Sequence, residues 1–237
     1  MAIRTASAER DFLGIRKIWE ERFTSDQTYL DTIFNEVFPL CRSYVHIGDN
    51  NEVLSVIALM PMLFYSPESE TPLRGFYLFG VATLEKATGR HLAENLILHA
   101  NRELTTEGYD FIFERPANQS LNKYYIKLGY SISLKKIPHL FNLDKLIGST
   151  KNNHRKPTIK SLAESILNEI KIEFNRRFEW NDTQILEGLL KLDELNEHNK
   201  REYSQQTLEE ETFIAVNNLS SYKDSIFTGT FFCFTME

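Results

Sequence analysis

The chain has 237 residues and a formal net charge of −6 at pH 7, because 33 acidic side chains outnumber 27 basic ones. Hydrophobic residues make up 42% of the chain and charged residues 25%, values typical of folded globular proteins, which excludes collagen-like repeats, low-complexity disorder and a disulfide scaffold. The acidic balance disfavours a broad surface for nucleic acid or anionic membrane, so we expect neither partner.

The cysteines, the N-terminus and the histidines indicate the compartment and the cofactors. Cys41 and Cys233 lie far apart in the chain, which favours reduced thiols. No export signal opens the sequence, and the apolar run at residues 53–65 is shorter than the roughly 20 residues that span a bilayer. We therefore predict a soluble, cytoplasmic protein, and the scattered histidines predict no metal site.

The first third of the chain alternates between strand and helix patterns. Apolar spacing and turn residues predict, in chain order, a strand, two helices and two strands: residues 3–5, 11–23, 27–37, 42–47 and 53–65. A loop rich in Pro, Ser and Glu follows at residues 66–72.

The next stretch repeats strand and helix in strict alternation. The predicted elements are a strand, a helix, a strand, a helix and a strand: residues 75–83, 92–104, 109–113, 121–128 and 130–137. This order predicts an α/β fold, a mixed sheet with helices packed on it.

A polar, turn-rich segment at residues 148–160 is predicted to be a linker. It divides the chain into a first domain, residues 1–147, and a smaller α/β extension, residues 161–237. In the extension we predict a helix, a strand, a helix and a strand, at residues 161–170, 172–178, 185–195 and 226–234.

A candidate anion site lies between the strand at residues 75–83 and the helix that follows it. The backbone N–H groups of a helix N-terminus suit a phosphate. Gly89 would permit close backbone approach, and Lys86 and Arg90 add positive charge. The alternative is an ordinary strand-to-helix turn that binds nothing.

A second segment places a tyrosine on a short helix. Asn118 suits the N-cap of that helix and Gly129 its end. Tyr125 lies on the apolar stripe, so it either packs in the core or holds its phenol beside a leaving group.

The two segments together resemble the Gcn5-related N-acetyltransferase (GNAT) superfamily over about residues 1–140. Asn118, Tyr125, Gly129 and Tyr130 match the spacing of that family's motif B. In motif A, Lys86 replaces the usual Arg or Gln, and His91 stands where Gly or Ala is usual. Residues 77–83 and 116–121 are similar to GNAT proteins of the enhanced-intracellular-survival (Eis-like) type.

The resemblance implies a GNAT fold and direct transfer of an acetyl group from acetyl-CoA to a primary amine. Tyr125 would then be the general acid, and Asn118 would bond the pantetheine end of the cofactor. The pantetheine arm would lie between the fourth and fifth strands against the backbone of Phe79, Gly80 and Val81, with a β-bulge at Gly80. The pyrophosphate would contact the backbone of Ala87, Thr88, Gly89, Arg90, His91 and Leu92.

Several questions stay open at this point. The general base could be Glu114, an ordered water or the carboxylate of Glu237, and the His91 side chain could crowd the pyrophosphate or point away. The acceptor could be a small amine, an aminoglycoside-like compound or a lysine side chain. The alternatives are a weak or inactive module that binds CoA derivatives or a regulatory partner, and an enzyme that transfers a longer acyl or an aminoacyl group. The extension could be a degenerate part of a second GNAT unit or an acceptor-binding cover, and the oligomeric state is not predicted.

Overall fold

One mixed sheet organises the computed structural model, which describes residues 2–136, 158–173, 177–180, 183–199 and 211–219. The strands are β1 Ala2–Thr5, β2 Arg42–Ile47, β3 Val53–Tyr65, β4 Leu73–Thr83, β5 Phe111–Glu114, β6 Ser131–Lys136, β7 Arg177–Trp180 and β8 Glu211–Asn218. The helices are α1 Ala8–Arg22, α2 Gln27–Thr32, α3 Leu92–Thr106, α4 Asn122–Lys127, α5 Ile159–Glu173 and α6 Thr183–Asn199. Among these residues no helix is both long and apolar enough to cross a membrane.

The strand order is β1-β2-β3-β4-β5-β8-β6, with β7 beside β3. Strands β4 and β5 are parallel, and the other neighbouring pairs of the described strands are antiparallel. The α/β fold with a mixed sheet is therefore confirmed. Helix α3 makes the crossover between the two parallel strands, as such a pair requires.

Two strands from the C-terminal part join the sheet formed by the N-terminal part. Strand β3 pairs with β2 as far as Leu59, and β7 takes the same edge of β3 from Met62 to Tyr65. Strand β8 lies between β5 and β6. The predicted linker lies mostly outside the described residues, and the division into domains stays a prediction.

Side chains alternate between two cores, one on each face of the sheet. On the face that we call the α1 face, Tyr77 and Phe79 of β4 join a core to which α1, α5 and α6 also contribute. On the opposite face, called the α3 face, Phe76 and Leu78 pack with α3 and α4. The position of a residue along β4 thus decides on which face of the sheet its side chain packs.

The differences from the predicted elements have local causes. Helix α1 begins before Asp11 because the Asp11 carboxylate accepts the N–H of Ser7 at 2.7 Å and pairs with Arg4 at 2.6 Å. The predicted strand at residues 172–178 is wrong in its first part, since α5 continues to Glu173. The predicted strand at residues 226–234 lies outside the described residues.

Candidate active site

Strands β4 and β5 meet closely at one end and then separate. They pair over three positions, from Gly75 opposite Phe111 to Tyr77 opposite Phe113. Beyond Tyr77, β4 continues to Thr83, whereas β5 ends at Glu114. Within the described residues this leaves one edge of β4 without a neighbouring strand over residues 78–83, and a gap opens in the sheet there.

A β-bulge on β4 lies at this gap. Val56 of β3 pairs with Ala82 and Ala58 pairs with Phe79, so that Gly80 and Val81 both stand opposite Ile57. The backbone of Gly80 has a φ of +60°, and a Cβ there would lie 2.4 Å from Cζ2 of Trp19. The bulge expected at Gly80 is therefore present, and both its conformation and its contact with Trp19 require glycine.

A cavity of about 790 Å³ occupies the gap and is lined from both faces of the sheet. From the sequence-predicted site it includes Phe79, Gly80, Val81 and Tyr125. The remaining lining residues are Trp19, Phe23, Thr24, Asp26, Tyr29, Tyr77, Leu78, Glu114, Arg115, Pro116, Ala117 and Leu121.

A buried carboxyl group and a buried phenol meet in this cavity. The Tyr125 hydroxyl donates a hydrogen bond of 3.0 Å to Oε1 of Glu114, and Glu114 is only 7% exposed. The second oxygen, Oε2, is buried and has no hydrogen-bond partner among the described residues. Because Glu114 lines the cavity, its carboxyl group is a candidate acceptor for a proton from a ligand there.

Burial perturbs both groups of this pair. It raises the pKa of Glu114 to about 8, although the Tyr125 hydrogen bond and the Arg115 charge lower it. Burial, followed by the charge of Glu114, raises the pKa of Tyr125 well above its ordinary value. Near neutral pH the phenol therefore keeps its proton. The carboxyl group is mostly protonated there and ionises as the pH rises through about 8.

The connection from β4 to α3 lies outside the described lining of the cavity. Its backbone takes the left-handed conformation at Gly89, with a φ of +76°, and at His91, with a φ of +58°, directly before α3 begins at Leu92. Nothing lies within 4 Å of the position of a Cβ on Gly89, so its surface is open. The N–H groups of the first turn of α3, which have no carbonyl partner within the helix, follow shortly after this open position.

The side chains of this connection are partly engaged. The His91 ring binds Oε2 of Glu94 at 2.8 Å and is 75% exposed, so it lies beside its own helix. The ammonium group of Lys86 pairs with Glu52 at 2.6 Å. Of the other predicted contacts, Ala87 is buried and Thr88 and Arg90 are exposed.

Asn118 caps a short 3₁₀ turn that precedes α4. Its Oδ1 accepts the N–H of Ser120 at 3.0 Å, which confirms a capping role one turn earlier than α4 itself. Asn118 is exposed and lies outside the described lining, whereas Pro116 and Ala117 belong to it. Its predicted contact with the cofactor stays a prediction.

Four of the lining residues that the sequence did not indicate are aromatic: Trp19, Phe23, Tyr29 and Tyr77. They lie within the predicted helices at residues 11–23 and 27–37 and within the predicted strand at residues 75–83. The available signal was the position of these rings: Trp19, Phe23 and Tyr29 flank the α1–α2 connection, where a helix ends and a surface opening can form.

Comparison with known proteins supports the assignment of the fold. The family model described as "Acetyltransferase (GNAT) domain" matches residues 2–133. No curated protein sequence gives a significant match.

Solved structures share the architecture at low sequence identity. Eis1 from Mycobacterium abscessus has a TM-score of 0.56 and 12% identity, over 85% of this chain and 49% of that one. A protein from Enterococcus faecalis V583 described as a probable N-acyltransferase has a TM-score of 0.50 and 10% identity, over 79% and 47%. A GNAT acetyltransferase from Brucella melitensis, solved with acetyl-CoA, has a TM-score of 0.43 and 21% identity, over 55% and 82%. The chain thus spans about half the length of the first two proteins.

Proposed function

The chain belongs to the GNAT acetyltransferase family, and on that premise we propose that it transfers an acetyl group from acetyl-CoA to a primary amine in the cavity between β4 and β5. The observation that carries the proposal is the hydrogen-bonded pair of Glu114 and Tyr125 in the wall of that cavity. A buried carboxyl group and a protonated phenol provide a proton acceptor and a proton donor, which transfer to an amine needs.

The residues around the gap fit acetyl-CoA. The edge of β4 at residues 78–83 has no neighbouring strand among the described residues, and an extended ligand binds such an edge as an added strand would. Phe79, Gly80 and Val81 would hold the pantetheine arm there. The backbone from Ala87 to Leu92 would give N–H groups to the pyrophosphate.

The charge of Lys86 is already paired. Its ion pair with Glu52 is more than half exposed on the lysine side and over a third exposed on the glutamate side. Solvent screens such an exposed pair, so a pyrophosphate can compete with Glu52 for the ammonium group. The ring of His91, held by Glu94, leaves the backbone N–H of residue 91 as its contribution.

Proton transfer follows from the pair in the cavity wall. Bound acetyl-CoA supplies the thioester whose carbon–sulfur bond breaks as the nitrogen–carbon bond forms. The ionised carboxylate of Glu114 accepts the proton that the amine loses. Tyr125 donates its proton to the leaving sulfur, and the protonated Glu114 returns one to the Tyr125 oxygen, so the net change is one proton moved from amine to thiol.

Calorimetric titration with acetyl-CoA and with free CoA tests the first half of the proposal. We expect saturable binding in the micromolar range for both. Thiol release from acetyl-CoA in the presence of a panel of primary amines tests the second half. A folded sample that binds neither compound contradicts the proposal.

The second candidate function is a weak or inactive module that binds CoA derivatives or a regulatory partner. It is favoured by the β4–α3 connection, which departs from the family pattern at two side chains. Lys86 is paired with Glu52, and His91 takes the left-handed conformation that favours glycine. This candidate predicts that CoA binds and that no amine in the panel causes thiol release.

A further inference from the structure

The wall of the cavity on the α1 face is aromatic. Trp19 packs against Phe23 with ring centroids 4.6 Å apart and against Phe79 at 5.2 Å. Tyr77 continues the surface, 6.3 Å from Phe79, and Tyr29 lines the cavity from α2. This set of rings, which we call the aromatic wall, faces the gap from the side opposite Tyr125.

The aromatic wall reaches the surface at Phe23. The Phe23 side chain is 49% exposed, whereas Trp19 and Phe79 are buried. A large apolar side chain held at the mouth of a cavity, with buried rings behind it, offers a graded apolar surface to an entering ligand.

The two faces of the cavity carry different groups. Tyr125 lies on the α3 face, because it shares one core with α3 and α4. If the thioester of the donor lies along β4 beside Tyr125, as the proposed function holds, the aromatic wall across the gap is left for the acceptor. The inference below rests on that function.

Charge in the lining is sparse. Asp26 and Glu114 are its acids and Arg115 its base, within the described residues. Oδ1 of Asp26 accepts the N–H groups of Thr28 and Tyr29 at 2.9 and 3.1 Å, which fixes this carboxylate at the rim. Because burial raises the pKa of Glu114 to about 8, Asp26 is the acid of the described lining that is ionised near neutral pH, so a polycation would leave several charges without partners there.

The volume of the cavity also limits the size of the acceptor. A cavity of about 790 Å³ must hold the end of the donor together with the reacting part of the acceptor. Rings lining such a space favour a flat apolar body, and their faces also attract a cation at a distance below about 6 Å.

We infer that the acceptor is a small primary arylalkylamine, whose ring packs on the aromatic wall and whose amine reaches Glu114. The wall contributes shape and cation–π attraction, and Asp26 attracts the protonated amine at the rim, where the amine gives one proton to solvent before the neutral nitrogen reaches Glu114.

Acetyl transfer to five probes tests this inference: 2-phenylethylamine, tryptamine, spermidine, Nα-acetyl-lysine amide and kanamycin. We expect kcat/KM for the first two amines to exceed that for the other three by at least about tenfold, roughly the discrimination one well-filled apolar pocket provides. Transfer that favours spermidine, the lysine derivative or kanamycin overturns the inference and leaves the proposed function intact. Absence of transfer to every probe contradicts the proposed function. In that case calorimetric binding of 2-phenylethylamine in the presence of CoA decides the inference separately, and no binding overturns it.

Phe23→Ala gives the matched variant. We expect it to raise KM for 2-phenylethylamine by about tenfold and to leave KM for acetyl-CoA unchanged, because Phe23 belongs to the acceptor wall. The control is Leu13→Ala, which removes a residue of the same helix that is 78% exposed and lies outside the described lining. Equal KM values in Phe23→Ala and in Leu13→Ala overturn the inference, and a thermal melt of each variant confirms that it is folded.

Discussion

The two walls of the cavity are built by different rules. On the α3 face, Tyr125 is set by the spacing of a motif and by one hydrogen bond to Glu114, so a change of a single atom alters the chemistry. On the α1 face, several aromatic rings share one surface, and each is replaceable by another apolar group of similar size. In the proposed function the proton-transferring pair depends on defined atoms, whereas the proposed acceptor surface depends on shape. Substitutions on the two walls should therefore differ in kind.

The largest expected effect is on kcat, and it comes from replacing Tyr125 on the α3 face. Tyr125→Phe should lower kcat by at least about a hundredfold with the affinity for acetyl-CoA unchanged, because only the donated proton is removed. The control is Tyr124→Phe, a half-buried neighbour on the same helix that lies outside the described lining. A Tyr125→Phe enzyme with full kcat would show that this phenol does not act as the acid.

Gly80 joins the two walls, and its replacement should destabilise the fold. In Gly80→Ala the new Cβ meets Trp19 in a left-handed backbone, so we expect a loss of about 2–3 kcal/mol in the free energy of unfolding and weaker acetyl-CoA binding. Gly108→Ala is the matched control, since its φ is +76° and nothing lies within 4 Å of the Cβ position. Urea titrations of both should show the larger loss at position 80; equal losses would mean that the contact with Trp19 has no cost.

The raised pKa of Glu114 should make the free energy of unfolding depend on pH. The folded protein holds the proton of Glu114 up to a pH of about 8, whereas the unfolded chain releases it near 4.5. Between those values the folded state binds more protons, so this group lowers stability by about 1.4 kcal/mol per pH unit as the pH rises. Glu114→Gln should remove that slope, which urea titrations across this range will measure.

Glu114→Gln should also change how kcat/KM depends on pH. Glu114 accepts a proton only when it is ionised, so below a pH of about 8 the wild-type log kcat/KM should rise with pH by about one unit per pH unit more than in Glu114→Gln. The titration of the amine is common to both enzymes and cancels in the comparison. Parallel profiles would exclude Glu114 as the base.

The smallest expected effect concerns the donor loop. Lys86→Ala removes an exposed ion pair with Glu52 that solvent screens, so the free energy of unfolding should stay within the error of the measurement. The Kd for acetyl-CoA should rise only a few-fold, because in the proposed function backbone N–H groups provide most of the contact with the pyrophosphate. A loss of binding beyond a hundredfold would show that the ammonium group, and not the backbone, holds the pyrophosphate.

Local patterns predicted the parts of the fold that depend on local contacts. The strands β1 to β6 and the helices α1, α3 and α4 follow from apolar periods of two or about 3.6 residues. The positions of β7 and β8 did not follow, because their partners lie far away in the chain: Glu179 pairs with Leu63, and Val216 with Phe113.

The candidate site was predictable to the same limited degree. Gly80 and Tyr125 stood out by residue type and spacing. Glu114 was one of three candidate bases, because the face that a strand-end residue occupies and the burial that raises its pKa are tertiary properties. The aromatic wall was missed because Trp19 and Phe23 have the spacing of ordinary core residues, and only the gap between β4 and β5 brings them to the wall of a cavity.

The account's central claim is that Glu114 and Tyr125 act as one proton-transferring unit, and a double-mutant cycle in single-turnover kinetics tests it most directly. Wild type, Glu114→Gln, Tyr125→Phe and the double variant would be compared at saturating acetyl-CoA. If the two groups pass the same proton, the double variant should lose about as much rate as Tyr125→Phe alone. Losses that multiply in the double variant would contradict the claim, because they would show that the two residues contribute independently.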